Sequence, residues 1–175
     1  TWHSKSSKQI ADCRVFTVRE DVSVRDRDGS EAVFFTVENP NWVNVIALTA
    51  AREVVLIDQF RHGVKKTIIE IPGGMVDDGE DPLAAAKREL AEETGYTSDH
   101  WILLGKSYPN PAIQSNEIFH YLAIDCEKTS TVDFDDHESI VTEVIPLDEV
   151  RRMIAVGKIS HSLVVAAFYY FGLRR

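Results

Sequence analysis

The sequence predicts an α/β fold, in which helices lie on both faces of a mixed β-sheet and an antiparallel β-hairpin precedes this domain. Strand-like and helix-like segments alternate along the chain, without repeats or low-complexity linkers. A glycine loop also leads from a strand into an acidic, amphipathic helix. With 175 residues, the chain can bury a full core but is short for two independent domains.

The N-terminal hairpin is predicted from two β-rich segments, residues 13–25 and 31–38, which flank Asp28-Gly29. An Asp-Gly pair between such segments is typical of a tight hairpin turn. We therefore expect an N-terminal β extension over residues 1–40 and a main domain over residues 41–175.

The main domain is predicted to begin with two apolar strands on either side of a short turn, and a third strand runs into the glycine loop. After the acidic helix come three more strands and two helices, the last of which is strongly apolar. The predicted strands are 43–48, 54–60, 67–71, 101–106, 118–124 and 140–145, and the predicted later helices are 147–156 and 161–171.

The acidic helix lies within the run from Gly74 to Tyr96, GMVDDGEDPLAAAKRELAEETGY. Asp81-Pro82 is a typical helix start, because Asp caps exposed amides and Pro is tolerated in the first turn. Gly95 provides the matching stop. The helix would carry its glutamates on one face, where like charges repel by about 0.2 to 0.5 kcal/mol per pair.

A bound cation would offset this repulsion between Glu89, Glu92 and Glu93. Hard divalent ions such as Mg²⁺ prefer carboxylate oxygens and bind substrate phosphates as well. The helix face therefore predicts a metal site for phosphate chemistry, and the carbonyl of Gly73 is within reach of it. The alternative is a solvated acidic face without a ligand.

The spacing of these residues resembles the Nudix box. Gly74 is followed after five residues by Glu80 and after seven more by the run 88–96, RELAEETGY, in which only Tyr96 departs mildly from the pattern. The resemblance implies a Nudix α/β/α sandwich over most of residues 41–175. It also implies two or three Mg²⁺ or Mn²⁺ ions per site. The implied metal ligands are Gly73, Glu89 and Glu93, with Glu92 assisting catalysis and Arg88 paired with Glu80 or a helix glutamate.

Segments outside the box resemble the branch that contains ADP-ribose pyrophosphatases and other nucleoside diphosphate sugar hydrolases. The run 58–63, DQFRHG, implies that Arg61 binds the diphosphate, although a surface arginine at a strand end is the alternative. The run 108–112 implies that Pro111 shapes the sugar pocket. Asn116 and His120 could bind the sugar, but His120 lies in the alternation of a strand, which favours a core position.

The residue that activates water is less clearly indicated. The run 135–140, DDHESI, resembles the loop that carries the catalytic glutamate in ADP-ribose pyrophosphatases, which favours Glu138. Glu93 or Glu92 comes next, and Glu143 last. A solvated acidic loop is the alternative for Glu138.

Recognition of the base is expected from aromatic side chains. Trp2, Trp42 and Phe35 offer flat faces for stacking, although core or interface packing is the commoner role of such residues. By resemblance, the N-terminal strands would pair across a homodimer, so that each site is built from both chains.

Composition limits the remaining function classes. The net charge of −9 argues against nucleic-acid or anionic-membrane binding. Cys13 and Cys126 are too few for a disulfide scaffold, and without a membrane span or secretory segment we expect a cytoplasmic protein.

The expected activity is Mg²⁺-dependent cleavage of a nucleoside diphosphate sugar, ADP-ribose or a hexose-linked relative, to a nucleoside monophosphate and a sugar phosphate. The alternatives are a nucleoside triphosphate pyrophosphatase and a non-catalytic nucleotide-sugar sensor.

Overall fold

The computed structural model describes residues 1–129, 131 and 140–174. The chain folds into two compact units. The first comprises Thr1–Asn41 and Ser107–Glu117, and the second comprises Trp42–Lys106 and Ile118–Arg175.

The first unit is built on a three-stranded antiparallel sheet in the order β1-β2-β3. Its strands are β1 (Trp2–Asp12), β2 (Thr17–Arg25) and β3 (Glu31–Glu38). The predicted hairpin is confirmed, because β2 and β3 pair around a turn in which Gly29 adopts a positive φ of 70°. Strand β1 was not anticipated, since its polar run SKSSKQ shows no apolar alternation.

The start of β2 also differs from the expectation. The chain turns between Cys13 and Phe16, where the Cys13 N–H donates to the Phe16 carbonyl at 2.9 Å, so β2 starts at Thr17. The segment 107–117 joins this unit along β3, because the Val37 N–H donates to the Ile113 carbonyl at 2.7 Å.

The second unit contains a six-stranded sheet in the order β11-β5-β4-β9-β8, with β6 paired to β5. Its strands are β4 (Trp42–Leu48), β5 (Glu53–Arg61), β6 (Lys66–Glu70), β8 (His100–Ser107), β9 (Ile118–Ile124) and β11 (Ile140–Pro146). Strands β4 and β9 are parallel, whereas β5 is antiparallel to its three neighbours β4, β6 and β11. The mixed sheet is thus confirmed. Two short strands, β7 (Tyr96–Thr97) and β10 (Glu127–Lys128), pair beside it.

Strand β4 lies at the centre of this sheet and is buried on both faces, in keeping with a sequence that is apolar except for Asn44. Val43, Val45 and Ala47 pack in a cluster with helix α1 (Pro82–Thr94). Ile46 and Leu48 point to the opposite face, toward helices α2 (Leu147–Ala155) and α3 (Ser162–Leu173). Successive side chains alternate between two cores, which confirms the α/β/α sandwich.

Helix α1 begins and ends where the sequence predicts. Asp81 accepts hydrogen bonds from the Leu83 and Ala84 N–H groups, at 2.9 and 3.3 Å, and Pro82 occupies the first turn. Gly95 ends the helix in a left-handed conformation with φ of 73°. No helix within the described residues is long and apolar enough to cross a membrane.

A buried polar network links β4, β9 and α3. The Asn44 amide donates to the Leu163 carbonyl at 3.1 Å, so its oxygen accepts from Nδ1–H of His120 at 2.8 Å. The His120 ring is fully buried and lies 5.4 Å from the Tyr170 ring. Burial lowers the pKa of His120 to about 4. His120 is thus a core residue that holds the first turn of α3 through Asn44.

The lowered pKa of His120 predicts a loss of stability in acid. The unfolded chain takes up this proton near the ordinary pKa of 6.5 and the folded chain only near 4. The His120 contribution is therefore fully present above pH 6.5 and declines by on the order of 3 kcal/mol as the pH falls to 4. Urea unfolding measured from pH 7.5 to 4.5 checks this. His120→Gln should flatten the pH dependence, and an unchanged slope in that variant would contradict the assignment.

Candidate active site

The glycine loop runs along the central strand of the second unit. The Val45 N–H donates to the Pro72 carbonyl at 2.8 Å, and Val43 and Gly74 exchange two backbone hydrogen bonds at 2.9 and 3.1 Å. A Cβ atom on Gly73 would overlap the Val43 carbonyl oxygen and the Asn44 backbone. Glycine is therefore required at residue 73, because the loop packs directly on backbone.

Two glutamates of α1 lie against this loop. Glu93 is only 3% exposed, and its Oε2 accepts a hydrogen bond from the Gly73 N–H at 2.9 Å. Glu89 packs so closely on the loop that a Cβ atom on Gly74 would overlap its carboxylate. The glycines thus let two acidic side chains approach the backbone of the loop.

Arg88 holds Glu80, Glu89 and Glu92 in place through hydrogen bonds. Its guanidinium donates to both oxygens of Glu80, at 3.1 and 3.0 Å, and to the Met75 carbonyl at 3.0 Å. It also donates to Glu89 at 2.9 Å and to Glu92 at 3.1 Å. The hydrogen bonds that Arg88 donates to Glu80 lower the pKa of Glu80, and they contribute most to raising the pKa of Arg88. Arg88 therefore pairs with both Glu80 and the helix glutamates, which the sequence left as alternatives.

The carboxylates line one wall but do not form a ready-made metal cage. Among residues 1–129, 131 and 140–174, no three His, Cys, Asp or Glu side chains converge as they would around a metal ion. Arg88 and the Gly73 N–H already occupy oxygens of Glu89, Glu92 and Glu93. The donor set nevertheless fits a hard divalent cation, since carboxylate and carbonyl oxygens are its preferred ligands.

These groups open into a cavity of about 490 Å³ within the second unit. The carboxylates of α1 line one side, and apolar side chains and the ring of Trp42 contribute to the rest. Arg61, Glu70 and His161 provide further polar groups. The cavity therefore combines the glutamates of α1 with Trp42 and two arginines, Arg61 and Arg88. The apolar lining residues are Val43, Ile71, Met75, Ile118, Leu163 and Val164.

Arg61 on β5 and Glu70 on β6 form a bidentate salt bridge. Nε of Arg61 donates to Oε1 of Glu70 at 2.6 Å, and Nη2 donates to Oε2 at 2.9 Å. The Glu70 side chain is almost completely buried, whereas the Arg61 side chain is 41% exposed. The sequence singled out Arg61 but missed Glu70 and His161. The available signal for Glu70 was an acidic residue in an otherwise apolar stretch of the predicted strand that runs into the glycine loop.

The other predicted site residues lie in different places. Trp42 lines the cavity, whereas Trp2, Pro111 and Asn116 belong to the first unit. There Trp2 packs on Phe34 with ring centroids 5.2 Å apart. Pro111 is exposed in a turn, and Asn116 is buried with no hydrogen-bond partner for its amide within the described residues. Glu138 lies outside the described residues. The roles of all these residues stay predictions.

Comparison with known proteins decides the family. The NUDIX domain model matches residues 38–168. The chain belongs to the NUDIX family. This Nudix protein is 33% identical over 172 residues to a methanol dehydrogenase activator of Bacillus methanolicus, covering 96% of this chain and 91% of the relative. It is 27% identical to an ADP-ribose pyrophosphatase of Bacillus subtilis (strain 168), covering 98% of this chain and 95% of the relative.

Two further comparisons agree. An ADP-sugar pyrophosphatase of Mus musculus is 32% identical over 168 residues, covering 88% of this chain and 72% of the relative. The crystal structure of an ADP compounds hydrolase superposes with a TM-score of 0.85 at 21% identity, covering 97% of this chain and 91% of the other. The predicted family, the Nudix fold and the enzyme class, a hydrolase of pyrophosphate bonds, are confirmed.

We expect Gly74→Ala to reduce activity sharply, because the added methyl group displaces the Glu89 carboxylate. A displacement of about 1 Å in such a site costs about 100-fold in rate. The measurement is kcat/KM for ADP-ribose hydrolysis with Mg²⁺. Gly172→Ala is the matched control, since a Cβ atom there meets nothing within 4 Å. Equal activity of the two variants would contradict the importance of this contact.

Proposed function

We propose that this Nudix protein hydrolyses the diphosphate of a nucleoside diphosphate sugar, with ADP-ribose as the preferred class. The observation that carries the proposal is the cavity, which is lined by Glu89, Glu92 and Glu93 together with two arginines, Arg61 and Arg88. Three relatives support the substrate class by name, as ADP-ribose or ADP-sugar pyrophosphatases.

The proposed cofactor is Mg²⁺ or Mn²⁺, with two or three ions held by the Gly73 carbonyl, Glu89 and Glu93 and assisted by Glu92. The Gly73 N–H donates to Glu93, so this residue of the loop lies in direct contact with one of the proposed carboxylate ligands. When bound, such ions lower the pKa of water and neutralise charge on the phosphate oxygens.

The residues of the cavity have separate tasks in this proposal. Arg61 orients the diphosphate, for which its planar set of N–H donors is suited, and Glu70 fixes the plane of the guanidinium. Trp42 lines the same cavity and is the proposed aromatic contact of the substrate. Arg88 holds Glu89 and Glu92 on the wall, so it positions carboxylates rather than the substrate.

The reaction is attack of a water oxygen on one phosphorus. The new P–O bond forms as the bond to the bridging oxygen breaks, and the water proton passes to a carboxylate. Glu138 is the proposed base, with Glu93 or Glu92 as the next candidates and Glu143 after them. Glu93 already accepts a hydrogen bond from the Gly73 N–H, which favours Glu138 over Glu93 as the base.

Two alternatives remain as outcomes of the assay. A nucleoside triphosphate pyrophosphatase would use the same wall of carboxylates but would release pyrophosphate. A sensor would bind a nucleotide sugar without turnover. One relative is named as an activator of methanol dehydrogenase rather than as a hydrolase, which supports this alternative.

We also propose that the protein is a homodimer joined through the first unit. Strand β3 exposes three consecutive apolar residues, Val33, Phe34 and Phe35, and β1 exposes Trp2 and Ile10. Exposed apolar patches on a sheet are typical of a protein interface. The family resemblance supports a second copy of the chain as the partner.

With Mg²⁺, ADP-ribose should yield AMP and ribose 5-phosphate, and Glu93→Gln should lower turnover by at least about 100-fold because a carboxylate is lost from the site. Glutamine still accepts from the Gly73 N–H, so the thermal midpoint should stay unchanged. Products are identified by chromatography. Glu127→Gln, at an exposed position, is the control. Release of pyrophosphate from a triphosphate, or tight binding without turnover, would favour the respective alternative.

The dimer predicts a mass near twice 19.7 kDa in sedimentation. Phe35→Glu should give monomers at micromolar concentration, because it places a charge in the apolar interface. Tyr169→Glu removes another exposed aromatic residue, from α3 in the second unit, and should leave the dimer intact. Monomeric wild-type protein would exclude the dimer.

A further inference from the structure

One polar group of the cavity has no role in the function proposed above. His161 directly precedes α3 and lines the cavity, but its side chain does not cap the helix. Its Nδ1 is buried and has no hydrogen-bond partner among the described residues. Oε2 of Glu70 lies 4.0 Å away, too far for a hydrogen bond. A buried, unsatisfied nitrogen beside a buried carboxylate calls for an explanation.

Glu70 explains why this nitrogen matters. The carboxylate is almost fully buried, so its charge requires compensation from its neighbours. Both of its oxygens accept hydrogen bonds from Arg61. Arg61 is much more exposed and borders the cavity, so a diphosphate entering there competes with Glu70 for the same guanidinium.

We propose that His161 is a positioning residue for Arg61: when a diphosphate draws Arg61 into the cavity, Nδ1–H of His161 closes onto Oε2 of Glu70. The closure shortens the present 4.0 Å separation by about 1 Å to reach hydrogen-bond distance. Glu70 then stays compensated while Arg61 shares its donors with the substrate. The inference rests on the proposed role of Arg61 as the diphosphate anchor.

The surroundings of His161 suit this movement. Asn44 donates to the Leu163 carbonyl and thereby ties the first turn of α3 to the central strand, so only the imidazole needs to turn. Burial lowers the pKa of His161, an effect that the Glu70 carboxylate opposes and the Arg61 guanidinium reinforces. The neutral ring carries one N–H, which Nδ1 can donate to the carboxylate.

The first test removes the donor. His161→Phe keeps a ring but should weaken binding of an ADP-ribose analogue with a methylene-bridged diphosphate by about 10- to 100-fold, the usual value of a hydrogen bond to a charged group. KM for ADP-ribose should rise with it, while kcat changes little. His161→Asn should restore binding, because its amide nitrogen falls near the position of Nδ1. His161→Gln, whose amide reaches the position of Nε2, should not.

The second test asks whether His161 acts through Glu70. Glu70→Gln removes the buried charge, so His161→Phe in that background should change binding by less than about 2-fold. An equal effect of His161→Phe in both backgrounds would overturn the inference, as would full rescue by His161→Gln. Thermal midpoints identify any variant that fails to fold, and the Asn and Gln variants then carry the test.

Inorganic pyrophosphate with Mg²⁺, titrated by calorimetry, separates this inference from the proposed function. Coupling between His161 and Glu70 in pyrophosphate binding, without turnover of any nucleotide sugar, would retain the inference and reject the function. Turnover of ADP-ribose without coupling would reject the inference alone. Absence of pyrophosphate binding to the wild-type protein would reject the inference as well.

Discussion

The candidate site depends on the close approach of two glycines to their neighbours. Gly73 lies directly on the backbone of β4, and Gly74 leaves room for the carboxylate of Glu89. With these contacts, α1 presents its acidic face to the loop while its apolar face packs on the same central strand. The packing of the core of the sandwich, rather than a separate surface loop, therefore determines the geometry of the site.

Charge compensation is the second constraint on this site. The chain carries a net charge of −9, yet it places several carboxylates at low exposure around one cavity. Arg88 forms salt bridges with Glu80, Glu89 and Glu92, whereas Arg61 forms one with Glu70. Planar guanidinium groups suit this task, because they can bind two carboxylate oxygens at once. Each arginine therefore organises acidic side chains before any ligand arrives.

Local signals explain how much could be predicted from the sequence. The caps of α1 depend on Asp81, Pro82 and Gly95, all within the helix or next to it, and apolar periodicity gave the main strands within a few residues. Strand β1 was not predicted because it is polar and nearly wholly exposed. It is a strand because its backbone pairs with β2, and its side chains show no apolar alternation.

The parts of the site that could not be predicted depend on long-range contacts. Glu70 and His161 are separated by 91 positions and meet only because α3 packs on the sheet. Nothing near His161 in the sequence marks it as a cavity residue. The same holds for the segment 107–117, whose backbone bonds to β3 connect it to strands far away along the chain.

The ion pairs of Arg88 have a consequence for how the protein matures. Because this arginine and the Gly73 amide already satisfy the acidic face, α1 can form and dock without a divalent ion. Folding of α1 and binding of the proposed divalent ion are thus separate events. If the protein binds the proposed ion, a chelator would remove that ion and leave a folded protein that can bind it again.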